Sequence, residues 1–126
     1  MKTTFECPEG KLTTFQHNSL GKIQLINART YESIEELFRV FDFHVCQFAL
    51  YRENFETKLA TNRLAIRSVK KKVLTLNNVT YPVATMNRLY KYQQYGFNAF
   101  HLKKEFMSIV ASTQWTEEEL EKVYID

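Results

Sequence analysis

Residues 57 to 104 contain no aspartate and no glutamate. Ten basic residues, Lys58, Arg63, Arg67, Lys70, Lys71, Lys72, Arg88, Lys91, Lys103 and Lys104, occupy that stretch unopposed. The formal net charge of +3 hides this segregation: residues 1 to 56 hold six basic and eight acidic groups, and residues 105 to 126 hold one basic and six acidic. A basic middle of this kind attracts phosphate-rich partners or an acidic protein surface. It equally suits a solvated face that pairs with the acidic tail.

Glycine and proline are scarce, with three and two residues, which excludes a low-complexity chain and a turn-rich barrel. No segment approaches the roughly 20 apolar residues of a membrane span. The start, MKTTFECPEGK, lacks the apolar centre of a signal peptide. A cytoplasmic protein with no membrane contact is expected. The two cysteines, Cys7 and Cys46, lie far apart and form no CxxC, so reduced thiols and no bridge are expected. What the chain does have is aromatic mass. Ten Phe and seven Tyr in 126 residues supply a packed core for one domain over residues 1–126.

Thr3 to Glu6 and Leu12 to Phe15 alternate on either side of Pro8-Glu9-Gly10 and read as a hairpin; Lys22 to Asn27 reads as a third strand. Ser33 and Glu36 have the spacing of a capping box that opens a short helix. That helix feeds FDFHVCQFALY, residues 41–51, whose two faces are both mostly apolar, as in a central strand. Residues 59–70 place Leu59, Arg63, Ile66 and Lys70 at helical spacing. Asn77-Asn78 marks a turn. Pro82 and Gly96 bracket a further helix with an inner stripe of Val83, Met86, Leu89, Tyr90 and Gln93. Leu102, Phe106, Ile109 and Val110 define another, and Thr116 with Glu119 caps the last. Strands first and helices later give an α+β class. The expected architecture is a small mixed or antiparallel sheet, made of the N-terminal hairpin plus strands near 22–27 and 42–51. It packs against four or five helices, with the C-terminal half mainly helical.

Asp42, His44 and Cys46 alternate within FDFHVCQFALY and offer O, N and S donors. Side chains two apart on a flat strand point in parallel rather than converging, so neither a metal site nor a Cys-His nucleophile pair is expected. His44 and Cys46 are read as packing residues. Asp42 differs, because a carboxylate enclosed by Phe41 and Phe43 is costly to bury unless paired. A Lys or Arg from the basic middle is its expected partner.

GKIQLI, YESIEELFRVFDFHVCQFAL and RLAIRSVKKKVLTLNNVTYPVATMNRLYKYQQYGF together resemble the later half of phage and bacterial nucleotidyltransferase-like proteins, distant relatives of tRNA nucleotidyltransferases. In that group a strand of the type FDFTVxxxAY follows a short helix, and a segment P-x-x-T-x-x-R-x-x-K-Y-x-x-x-G-F comes later. Asp42 and then Pro82, Thr85, Arg88, Lys91, Tyr92, Gly96 and Phe97 stand at those places, within a resemblance that covers residues 22 to 100. Such transferases hold two divalent metals on strand-borne acids, introduced by a Gly-Ser or Gly-Gly turn and an acid-x-acid pair. This chain has neither; its two Asp residues are Asp42 and Asp126, and Glu117-Glu118-Glu119 opens a helix. The resemblance thus implies that Asp42 is at most the remnant of the last family carboxylate, with no catalytic set, metal or cofactor.

Two readings follow. The first is a non-catalytic binding protein that takes nucleic acid or a nucleotide on a basic, Tyr-rich surface made by Arg67, Lys70, Lys71, Lys72, Arg88, Lys91, Tyr92 and Tyr95. The second is a small phage-type protein that binds and inhibits a host protein of defence or nucleic-acid processing. A partial nucleotidyltransferase completed by a partner chain is a third.

Overall fold

The structure, a computed structural model, describes residues 2–6, 12–27 and 29–122. It is α+β, as expected, and divides into two compact units, Met1–Glu32 and Ser33–Asp126. Cys7, the turn expected at Pro8-Glu9-Gly10, and Asp126 lie outside the described residues.

The first unit is an antiparallel meander of β1 (Lys2–Glu6), β2 (Leu12–His17) and β3 (Gly21–Ile26) in that order. β2 and β3 pair in unbroken register from Leu12↔Ile26 to His17↔Gly21. Their turn is closed by the His17 ring, whose Nδ1 accepts from the backbone of Ser19 and Leu20, both at 3.1 Å. Gly21 completes it at φ +77°, a conformation that side-chain-bearing residues adopt only with strain.

The second unit begins with α1 (Ile34–Arg39). Ser33 caps it as its spacing indicates, Oγ accepting from Glu36 N at 3.1 Å. The last carbonyls of a helix need outside donors, and two amide side chains supply them. Gln47 Nε2 donates to Phe38 O at 2.9 Å, and Asn77 Nδ2 donates to Phe38 O at 3.0 Å and Phe41 O at 2.9 Å. Gln47 also ties in the next helix, because its Oε1 accepts from Asn62, whose own Oδ1 caps α2 (Arg63–Lys71) through Ala65 N.

The expected strand over 42–51 forms only from Ala49 onward. Phe43 makes one isolated antiparallel bridge to Leu76, His44–Cys46 form a single 3-10 turn, and the strand proper, β4, runs Ala49–Glu53. The alternating polar residues are what break it. Asp42, His44 and Gln47 take partners on different elements, Arg88, Thr75 and Asn62, which a flat strand cannot reach at once. β4 pairs instead with β5 (Glu56–Ala60) in a hairpin separate from the N-terminal sheet. Its two-residue turn is Asn54-Phe55, both at positive φ (51° and 66°), the geometry that matches the twist of paired strands. Consequently the helix expected from residue 59 starts at Arg63, and Ala65 and Ser68 face inward while Leu64 and Ile66 are partly exposed.

α2 ends on Lys72 in the left-handed region, φ 55°. From there an extended link makes bridges at Val73↔Asn98 and Phe43↔Leu76 and leads to α3 (Pro82–Gln94). α3 starts at Pro82 and is followed by Gly96 at φ +97°. Its buried residues are Pro82, Ala84, Thr85 and Leu89; of the expected stripe Leu89 is buried, Val83 and Gln93 are half-buried, and Met86 and Tyr90 are exposed. α4 (Phe100–Ser112) buries Leu102 and Phe106. Thr116 caps α5 (Glu117–Glu121), accepting from Glu119 N at 3.2 Å. The core is Phe43, Leu74, Leu89, Ala99, Leu102 and Phe106.

Candidate functional site

The irregular run 42–47 and one face of α3 come together. Backbone carbonyl oxygen of Asp42 accepts from Asn77 N at 2.7 Å and Asn78 N at 3.2 Å, which pins the residue from behind. Its carboxylate, almost fully buried, meets Arg88 at 2.5 Å. The expected cationic partner for Asp42 is therefore on α3.

One turn further along α3, the Tyr92 hydroxyl and Cys46 Sγ share a hydrogen bond at 3.1 Å. Burial pushes the Cys46 thiol up from its ordinary value; the Tyr92 hydrogen bond opposes this, Asp42 adds to it, and Arg88 and Lys91 oppose it. A protonated, half-buried thiol is a poor nucleophile and a poor metal ligand. Among the described residues no three His, Cys, Asp or Glu side chains are grouped to hold a metal. His44 Nδ1 lies 2.7 Å from Thr75 Oγ1, which in turn lies 3.3 Å from Ser68 Oγ.

The raised thiol has a testable consequence. The native state keeps a proton that the unfolded chain gives up, so stability falls as pH climbs above the ordinary thiol range. In a Cys7→Ser background, Cys46 is expected to react with a disulfide reagent more slowly than in the denatured chain at the same pH. Cys46→Ala is expected to flatten the alkaline loss of stability. Equal rates in the two states would overturn the assignment.

From Tyr92 a run of rings and cations extends outward. Tyr92 packs edge-on against Phe43, Tyr95 and Phe97, with centroids 5.8, 5.9 and 5.8 Å away. Lys91 Nζ sits 5.5 Å from the Tyr92 ring centre and Lys72 Nζ 5.6 Å from that of Phe97. The order Lys91–Tyr92–Phe97–Lys72 is built by the backbone, since Asn98 N donates to Lys72 O at 2.7 Å and Leu74 N to Asn98 O at 2.9 Å. Those bonds hold the end of α2 against the segment after α3.

Lys91, Tyr92 and Tyr95 are thus joined through direct contacts, and Lys72 by way of Phe97, while Arg88 is paired with Asp42. Arg67 and Lys71 line a different feature, a groove of about 260 Å³ between α2 and the link, with Leu64, Ser68, Val73 and Thr75. Lys70 is exposed and lines neither. Phe97 was legible only as a motif position. The exposed hairpin was missed: Phe55 at its tip is 95% exposed, and the facing pair Leu50 and Leu59 are 74% and 65% exposed. The signal was Asn54 between two short alternating runs.

The chain matches no curated protein and no solved structure. Residues 8–72 match the family described as Gabija anti-defense 2 family protein. That segment runs through the β4–β5 hairpin and the whole of α2 to Lys72. With more than half of its 126 residues inside the match, the chain belongs to the Gabija anti-defense 2 family.

Proposed function

We propose that the chain is a phage protein that counters the host's Gabija defence by binding and blocking one of the defence proteins. Family membership carries this reading. The surface we assign to the contact is the run Lys91–Tyr92–Phe97–Lys72 with Tyr95 beside it. Tyrosine rings held edge-on by neighbours lose little freedom on binding and act as anchors, while the cations steer the encounter toward an acidic patch. Arg88 contributes indirectly. Its charge is spent on Asp42, and it fixes the face of α3 that presents Tyr92.

The chain used as bait should retain a Gabija protein from a host lysate. Tyr95→Ala combined with Lys91→Glu is expected to weaken the complex by at least tenfold, about 1.4 kcal/mol, with thermal unfolding little changed because both side chains are partly solvent-facing. Undiminished binding by that variant would sink the assigned surface. Inhibition of the defence without any complex would sink the reading itself.

Two rings flanked by two cations also favour a nucleic-acid strand, whose bases and phosphates suit the two kinds of group. That alternative predicts affinity that falls steeply with salt. A nucleotidyltransferase-like ancestry fits both readings, with Asp42 as a retained carboxylate now paired to Arg88. Metal-dependent nucleotide transfer on adding a partner chain, lost in Asp42→Asn, would revive the partial-enzyme reading.

A further inference from the structure

Away from the basic surface, an open cleft of about 580 Å³ lies between residues 76–80 of the extended link, where no turn forms at Asn77-Asn78, and the α4–α5 corner. Its charge is opposite to that of the chain's middle. Glu105 and Glu119 line it, and among the described residues no lysine or arginine does. Among the described residues Glu105 makes no ion pair and Glu119 accepts with its side chain only from the Thr116 hydroxyl, at 3.0 Å, which leaves both carboxylates with acceptor positions to spare there. The remaining wall is amphipathic: Val79, Ile109 and Trp115 supply apolar surface, and Asn78 is among the polar residues. Trp115 has already spent its one donor, Nε1 bonding Val110 O at 3.1 Å, so the ring can offer a ligand only its π surface.

We infer that this cleft binds a guanidinium group on an alkyl stem, the chemistry of an arginine side chain. Each feature selects for it. Unpaired carboxylates demand a cation and repel anions. Among the described residues no third His, Cys, Asp or Glu joins them, and two carboxylates without such a companion make a poor cage for a metal. A guanidinium pairs bidentately with a carboxylate and stacks on an indole face, whereas an ammonium does neither as well. Val79 and Ile109 cover the methylene stem, and the volume falls in the range of small-molecule sites.

The source of the guanidinium is either a free alkylguanidine or an arginine of a bound protein, and one experiment separates them. N-acetyl-arginine methylamide is titrated into the isotope-labelled chain at low salt and followed by amide and indole resonances, with the neutral isostere N-acetyl-citrulline methylamide as control. Saturable shifts centred on Asn78, Ile109, Thr113 and the Trp115 indole are expected with arginine and not with citrulline. The double substitution Glu105→Gln, Glu119→Gln is expected to weaken binding about fivefold. Its folding is checked by thermal unfolding, and Trp115→Leu provides a second variant that keeps both carboxylates. Shifts that are absent, equal for citrulline, or unmoved by both variants would overturn the inference. Weakening of the Gabija-protein complex by the double variant identifies a partner's arginine as the occupant; an unchanged complex with retained arginine binding identifies a free small cation. The titration needs no partner, so its failure is distinct from failure of the proposed function.

Discussion

Phe43→Ala is expected to cost about 4 kcal/mol of folding stability, read as a lowered urea midpoint at unchanged slope. Phe43 is completely buried, packs in the cluster with Leu74, Leu89, Ala99, Leu102 and Phe106, and meets Tyr92 edge-on. It is also the residue whose backbone bridges Leu76, so neighbouring segments cannot readily collapse into the space that alanine leaves. Phe43→Leu keeps most of the volume and should cost clearly less. A loss below about 1 kcal/mol for the alanine variant would mean that residues 42–47 do not thread the core as described.

Arg88→Met is expected to cost about 3 kcal/mol, because it leaves the Asp42 carboxylate buried without its cation. The value of the pair itself is smaller, since both charges were taken out of water to form it. Asp42→Asn together with Arg88→Met should therefore recover part of the loss, and the double-mutant cycle measures the coupling. Arg67→Met, an exposed control on α2, should change stability by no more than about 0.5 kcal/mol. If Arg88→Met behaved like Arg67→Met, the ion pair would not be what orients α3.

The helix boundaries that were legible in sequence are those set by local chemistry. Ser33, Pro82, Gly96 and Thr116 act through hydrogen bonds or dihedral preferences spanning a few residues, and all four perform the expected roles. FDFHVCQFALY failed because its periodicity is shared by a strand and by an irregular segment buried on both sides. Which one forms depends on where Arg88, Thr75 and Asn62 lie, at separations of 15 to 46 residues. β5 was missed for a related reason. Leu59 fits a helical stripe with Ile66, yet Asn54 and Phe55 adopt positive φ and commit residues 56–60 to pairing with β4.

The site divides along the same line. Residue type and spacing singled out Arg67, Lys70, Lys71, Lys72, Arg88, Lys91, Tyr92 and Tyr95 as candidates, and required a cation for Asp42. That Arg88 is the one consumed, leaving Lys91 and Lys72 to flank the rings, follows only from the packing of α3 on residues 42–47. The acidic cleft had no local signature, since Glu105 and Glu119 come to line one cleft only when α4 and α5 turn the corner at Trp115. By itself the sequence determined the α+β class, the caps, the charge segregation and the need to pair Asp42, because each depends on composition or on contacts within a turn or two. The path of residues 42–48, the face of α3 turned inward and the grouping of rings with cations were decided by the tertiary structure. They are set by long-range hydrogen bonds and burial that no short window contains.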